Sequence, residues 1–438
     1  MSKSSKKLAC QLTAILSILA FPLASAYAQG AFAGAVPRKP KPAFPGQTDA
    51  PPPSKPSPQI TVQTITGRLT SPFAMALLPD GNFLVTESIG TMRVVRPDSS
   101  VSAPLGGVPG VKVVAAQGLH DVLLDPDFAQ NRVLYFCYFA PPVGEAPAIW
   151  PNEFFYQDVW TKSLPERRTM KIGTERAARA KLSKDETHLE DVETLVEGAE
   201  RRIVLAPDGK LLITGADRFR FYESKYDGTD HDFTDNPDIG RNFSGRVLRI
   251  DRDGSIPGDN PWLSRATVPA ETYAHGLRDP EGAAINPATG ELWVTDHGPQ
   301  GGDEINIIKP GRNYGWPDVS YGVQYDFQRT DGKKNVPVGN GKSSMPGVEE
   351  PTYFWAPDIA PSGMMFYTGD RFPDWKGSVF VGGLDARALV RLVLNGDHVI
   401  AEERLLTDRK MRVRDIRQGP DGAVYLLADN SLLKLTPK

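Results

Sequence analysis

One motif recurs six times along this chain and limits what it can fold into. An apolar pair runs into a turn built on Pro, Asp and Gly, and an alternating apolar strand leaves it. The copies are "MALLPDGNFLVTE" from Met75, "VLLDPDFAQNRVLYFCY" from Val122, "IVLAPDGKLLITGAD" from Ile203, "AAINPATGELWVTD" from Ala283, "MMFYTGDRFPDWKGSVFVGG" from Met364 and "IRQGPDGAVYLLAD" from Ile416. Pro presets φ for the turn, Asp caps it and Gly takes positive φ. The alternation that follows is that of a half-buried strand. The spacing, about 60 residues per unit, exceeds the roughly 40–50 of compact propeller blades, so several loops must be long. Helical spacing is scarce; its best instance, "TERAARAKLSKDE", fits a strand pair equally well. The expected fold is therefore all-β, a six-bladed β-propeller, in which each sheet packs on its neighbours and only short edges remain. A β-helix or two sandwiches would explain the even recurrence less well.

The 41 glycines and 39 prolines suit a turn-rich β protein. A net charge of −3 and a pI near 6.1 argue against a nucleic-acid partner, which a basic stripe would signal. At the N-terminus, Lys3, Lys6 and Lys7 precede the apolar run "LTAILSILAFPLA", and "AYA" ends at Ala28. That is the pattern of a secretory signal over residues 1–28, which places the mature chain in a periplasm or outside the cell. The run is too short for an integral membrane span. Residues 29–58 are proline-rich without apolar periodicity and are expected to form a disordered tether; residues 59–438 form the propeller. Cys10 leaves with the signal, and Cys137 in "VLYFCYF" is expected to be a buried core thiol.

The segment "TDHGPQGGDEINIIKPGRNYGWP" from Thr295 sets a glycine–proline corner beside a histidine and several carboxylates. Glycine lets backbone approach a ligand closely. The carbonyls of Gly298 and Pro299 are hard oxygens of the kind that suit Ca²⁺. The same residues also read as a structural turn whose backbone is held by Asp303 and Glu304.

The stretch "HGLRDPEGAAINPATGELWVTDHGPQGGDEINIIKPGRNYGWP", with "DRDGSIPGDNP" at Asp251 and "RVRDIRQGPDG" at Arg412, resembles the soluble quinoprotein glucose/sorbosone dehydrogenases. The resemblance covers nearly the whole chain after about residue 60. It implies a propeller that binds pyrroloquinoline quinone (PQQ) and Ca²⁺, a small sugar as substrate and an external electron acceptor. By position it implies Ca²⁺ at the carbonyls of Gly298 and Pro299, with Asp303 behind them. It places Arg278 on the quinone and Arg412 and Arg414 on the cofactor's carboxylates, Tyr353 and Trp355 at the sugar-binding rim, and Asp217 behind the catalytic base. Arginine suits bidentate carboxylate recognition.

The chain departs from that pattern at several positions. Gly198 stands where the family has its catalytic histidine, four residues before Arg202. Asp385 stands for a cofactor-binding lysine, with Arg387 two residues on, and Asp279 for an asparagine. Ala116, beside Gln117, takes the place of a glutamine. These changes make the site more acidic. His120 and His297 are the candidate replacement bases, His297 lying beside the cofactor, and Gly198→His is expected to restore turnover. The insertion from Pro141 to Arg168 carries aromatics that either stack on sugars or pack the loop. Two further readings share the scaffold: a Ca²⁺-centred lactonase, which the acidic residues favour, and a non-catalytic binding propeller.

Overall fold

The computed structural model describes residues 40–114, 118–150, 173–199, 201–217, 245–265, 268–324 and 334–438. The expected signal, most of the aromatic insertion, Ala116 and Gln117 lie outside them. Six antiparallel sheets follow one another along the chain. The first has three strands, Pro72–Leu77, Phe83–Glu87 and Thr91–Val95. The second runs from Leu119–Leu124 through Val133–Ala140 and Thr174–Leu182 to Leu189–Glu197. "TERAARAKLSKDE" is thus a strand and hairpin. The third begins at Ile203–Leu205 and ends at Thr272–His275, the fourth runs from Pro280–Ile285 to Tyr353–Trp355, and the fifth from Pro361–Phe366 to His398–Leu405. The sixth joins Val413–Gln418, Val424–Ala428 and Ser431–Pro437 to Ile60–Thr66, the first strand among the described residues.

The first strands of consecutive sheets touch one another in a closed cycle, the sixth meeting the first, so the architecture is a six-bladed β-propeller. The recurring motif is the hairpin from first to second strand in each blade. Gly81, Gly209, Gly290 and Gly422 take φ values of 72–88° there, the conformation its Pro-Asp-Gly chemistry favours. Alternating apolar side chains fill the space between blades, and Cys137 is buried among them.

Each junction between innermost strands also carries a polar tie. Thr86 Oγ1 donates to the His120 carbonyl, Ile203 N to Asp121 Oδ2, Arg202 Nε to the Glu281 carbonyl, Thr295 Oγ1 to the Ser362 carbonyl, Ser362 Oγ to the Val413 carbonyl, and Met75 N to Asp415 Oδ2. Arg202 goes further. From blade three it reaches Asp121 of blade two at 3.5 Å and Asp415 of blade six at 3.1 Å. Blades three and six lie opposite each other in the ring, so this side chain crosses the axis. Arg417 completes the square, 3.2 Å from Asp121 and 3.0 Å from Asp415. Burial works against the Arg202 charge, but Asp415, Asp121 and Glu281 outweigh it and raise its pKa.

From residue 40 the segment expected as a tether is instead packed on the propeller. Gln47 is fully buried; it donates to the Pro351 carbonyl at 2.9 Å and accepts from Ala43 N at 2.7 Å. Pro51 offers its carbonyl to Glu402 N, and Ser57 binds the Glu403 carboxylate. Proline-rich backbone forms no ladder of its own, but its carbonyls remain available as acceptors. Among the described residues no helix is long and apolar enough to cross a membrane.

Candidate active site

The site is built where blades three and four meet. Asp296 ends a buried strand, and its carboxylate accepts from Arg278 N at 2.8 Å and Asp279 N at 2.6 Å, fixing the "LRDP" turn. Burial pushes the Asp296 carboxyl up to about 7, against the pull of these two N–H groups. Asp217 N donates to the Arg278 carbonyl at 2.7 Å, and Asp217 Oδ2 accepts from Trp316 Nε1 at 2.9 Å. The Arg278 guanidinium lies 5.4 Å from the centre of the Trp316 ring, a cation–π contact, and donates to the His297 carbonyl at 2.9 Å. Asp217, Arg278, Asp279 and His297 are therefore brought together. His297 Nε2 lies 2.5 Å from the Pro361 carbonyl, which makes Nε2 the protonated nitrogen of the ring. Burial lowers its pKa and favours the neutral form.

The Gly298–Pro299 corner follows immediately. Gly298 N donates to Asp303 Oδ1 at 2.9 Å, and Asp303 Oδ2 accepts from Ile359 N and Ala360 N at 2.8 and 2.7 Å. A Cβ on Gly298 would stand 2.4 Å from the Gly301 carbonyl oxygen, so only glycine fits. Among the described residues no hydrogen bond is made to the Gly298 or Pro299 carbonyl. Asp358 joins the corner through Oδ2, which accepts from Gly301 N at 2.6 Å; its Oδ1 is buried and has no hydrogen-bond partner. No cluster of three His, Cys, Asp or Glu side chains suited to a metal occurs among the described residues. Two carbonyls that accept no hydrogen bond, in a turn held by a carboxylate with one unpartnered oxygen, nevertheless suit a hard divalent cation.

Several buried or half-buried arginines belong to the same charged network or to the neighbouring strands. Arg414 donates to Glu281 Oε2 at 2.9 Å, and burial lowers its pKa to about 10 despite that partner. Arg412 donates to the Leu384 carbonyl, beside Asp385 and Arg387. Arg201 is a residue the motif comparison did not assign to the site. Its side chain is 2% exposed and lies 2.5 Å from Asp279 and 3.0 Å from Glu281. The acidic shift expected from Asp279 is thus met by a cation on the neighbouring blade. With Arg278, Arg412 and Arg414 nearby, these residues fit a ligand rich in carboxylates. The clue in the sequence was the Arg201–Arg202 doublet at the entrance of an otherwise apolar strand. Asp358, Glu281 and Asp296 offered no comparable signal.

Two expectations are corrected, and a third meets a strained backbone. His120 lies on an innermost strand, fully buried, its ring 4.8 Å from that of Phe73, which closes it off from solvent. Tyr353 and Trp355 do not form an open rim. Both are buried between blades four and five, and both donate to Glu402 Oε2 at 2.9 Å. Ala50 N, from the N-terminal segment, donates to the Tyr353 hydroxyl. Gly198 has φ of 98°, a conformation side chains rarely adopt, so a histidine placed there would be strained.

The fold and these residues define a six-bladed propeller with a charged site on its innermost strands. The chain belongs to the glucose/sorbosone dehydrogenase family, whose sequence profile matches residues 69–436. It is 34% identical over 383 residues to aldose sugar dehydrogenase YliI of Escherichia coli (strain K12), covering 86% of this chain and 93% of that protein. Quinoprotein glucose dehydrogenase B of Acinetobacter calcoaceticus is 27% identical over 423 residues, covering 84% of this chain and 85% of that protein. The apo crystal structure of the soluble aldose sugar dehydrogenase from Escherichia coli superposes with a TM-score of 0.71 at 32% identity, covering 87% of this chain and all of the other.

Proposed function

We propose that the protein is an exported, PQQ- and Ca²⁺-dependent aldose dehydrogenase that oxidises the C1 hydroxyl of a sugar to the lactone and passes the electrons to an external acceptor. The observation that carries this reading is the pairing, around one turn, of a free carbonyl corner at Gly298–Pro299 with Arg278, in a chain closely similar to an aldose sugar dehydrogenase. The leader-like residues 1–28 support export to the periplasm or beyond.

When bound, the quinone would supply a two-electron hydride acceptor and Ca²⁺ a Lewis acid. The Gly298 and Pro299 carbonyls would hold the cation, and Asp303 keeps that corner in place through Gly298 N. Arg278, Arg412 and Arg414 would hold the cofactor's carboxylates. Arg201 keeps Asp279 and Glu281 paired, so these two carboxylates do not repel an anion unopposed. A proton must leave the C1 hydroxyl as the hydride departs. Gly198 supplies no base, and His120 is closed off, so turnover is expected to be slow. Asp217 remains at the site, held by Trp316.

Titration of the apo-protein with PQQ, with and without Ca²⁺, tests the reading through the quinone absorption band. A saturable, Ca²⁺-dependent change that an aldose then bleaches is expected. No spectral change at any quinone concentration would rule the reading out.

A further inference from the structure

Asp303 does more than hold the corner. One of its oxygens takes Gly298 N and the other takes Ile359 N and Ala360 N, so a single buried carboxylate staples the start of the corner to the segment after Trp355. Ala360 takes φ of 48° to allow this, a conformation non-glycine residues adopt only when their surroundings impose it. Asp358 lies at the near end of that segment. Its Oδ2 is spent on Gly301 N, two residues beyond Pro299. Its Oδ1 is buried, yet no donor meets it. The groups facing Asp358 electrostatically include Arg278, Asp303 and Asp385. Arg278 has committed one of its nitrogens to the His297 carbonyl; Asp303 faces Asp358 with its backbone N–H as well as its carboxylate, and Asp385 adds negative charge. A buried carboxylate oxygen without a partner is destabilising. Through Gly301 N it is tied to the same turn as two carbonyls that also accept no hydrogen bond among the described residues.

We propose that Asp358 is a third, anionic oxygen ligand for the divalent cation of the Gly298–Pro299 corner, so that Ca²⁺ binds this chain before the quinone and without it. The inference rests on the proposed function for the identity of the cation. It accounts for a carboxylate that the fold positions from two sides and leaves half unsatisfied. Calcium affinity rises with the number of charged ligands in a site, and carbonyls alone contribute none. An already occupied corner would also offset the negative charge of Asp385, which stands where the resemblance expects a lysine.

The test uses the full mature chain without quinone and follows Ca²⁺ binding by calorimetry. Wild type should bind Ca²⁺ alone, and Asp358→Asn should bind it about tenfold or more weakly, as expected for loss of one charged ligand. Asn keeps an oxygen for Gly301 N, and Asp358→Ser provides a second variant if the first folds poorly. In chelator both variants should melt no lower than wild type, because an uncompensated carboxylate has been removed. Equal Ca²⁺ affinity in wild type and variants overturns the proposal while leaving the proposed function intact. So does Ca²⁺ binding that requires quinone in every chain. If neither Ca²⁺ nor quinone binds wild type, the proposed function falls with it.

Discussion

Arg201→Ala probes the charged centre most directly. The Arg201 side chain is buried, 2.5 Å from Asp279 and 3.0 Å from Glu281, which is itself 2% exposed. At a separation of ~3 Å and an effective dielectric near 20, each contact is worth about 5 kcal/mol before desolvation. Desolvation offsets much of that, but removing one partner from a buried pair leaves the other uncompensated, a loss of about 3–5 kcal/mol. Glu281 keeps Arg414 at 2.9 Å, so the loss should fall near the lower end, about 3 kcal/mol. Asp279 is roughly a quarter exposed, and Asp279→Asn should destabilise by about 1–2 kcal/mol. The double variant removes the carboxylate that Arg201→Ala strands, so it should be about 1–2 kcal/mol more stable than the two single losses added together. Chemical denaturation of the four proteins measures this. Strict additivity would show that Arg201 and Asp279 are not coupled, and that the acidic residue at position 279 burdens the site after all.

Three further outcomes are expected. Gly198→His should lower the melting temperature, with strain of about 1–3 kcal/mol at φ of 98°, so any gain in turnover should accompany measurable destabilisation; an unchanged melt would show that the turn adapts. Burial works to raise the Glu281 carboxyl, but Arg201 and Arg414 hold it below its ordinary value of 4.5. Its contribution to stability is therefore complete above pH 4.5 and is lost as the pH falls towards the depressed value, and Glu281→Gln should flatten the melting profile on the acid side. Gln47→Ala should cost about 1–3 kcal/mol by stripping a buried partner from the Pro351 carbonyl, read by the same denaturation assay.

The blades were readable because their signals are local: a turn needs Pro, Asp and Gly within a few residues, and a half-buried strand declares itself by alternation. The corner at Gly298 was readable for the same reason, since its glycines and Asp303 share one short stretch. Arg201 was not, because its meaning depends on a carboxylate 78 positions away on another blade. Tyr353 and Trp355 read as rim aromatics beside a loop. They are core residues because Glu402 and Ala50 meet their polar atoms, and Ala50 lies 303 positions from Tyr353. Residues 40–58 read as disordered because they lack apolar periodicity, yet they bind mainly through backbone and single polar side chains, which leave no periodic trace.

The sixth blade joins Ile60–Thr66, near the start of the chain, to Ser431–Pro437 at its end, pairing Ile60 with Pro437 and Thr64 with Leu433. A chain still being synthesised can assemble blades two to five from neighbouring segments, but its earliest strand has no partner until the last residues exist. The sixth blade therefore cannot be completed before Ser431–Pro437 are in place. Asp415 sits in that last blade, so the buried square it forms with Arg202, Asp121 and Arg417 needs that blade as well. The charge that crosses the axis thus ties an early blade to a late one: Arg202 finds its full set of partners only once Asp415 of the sixth blade is in place.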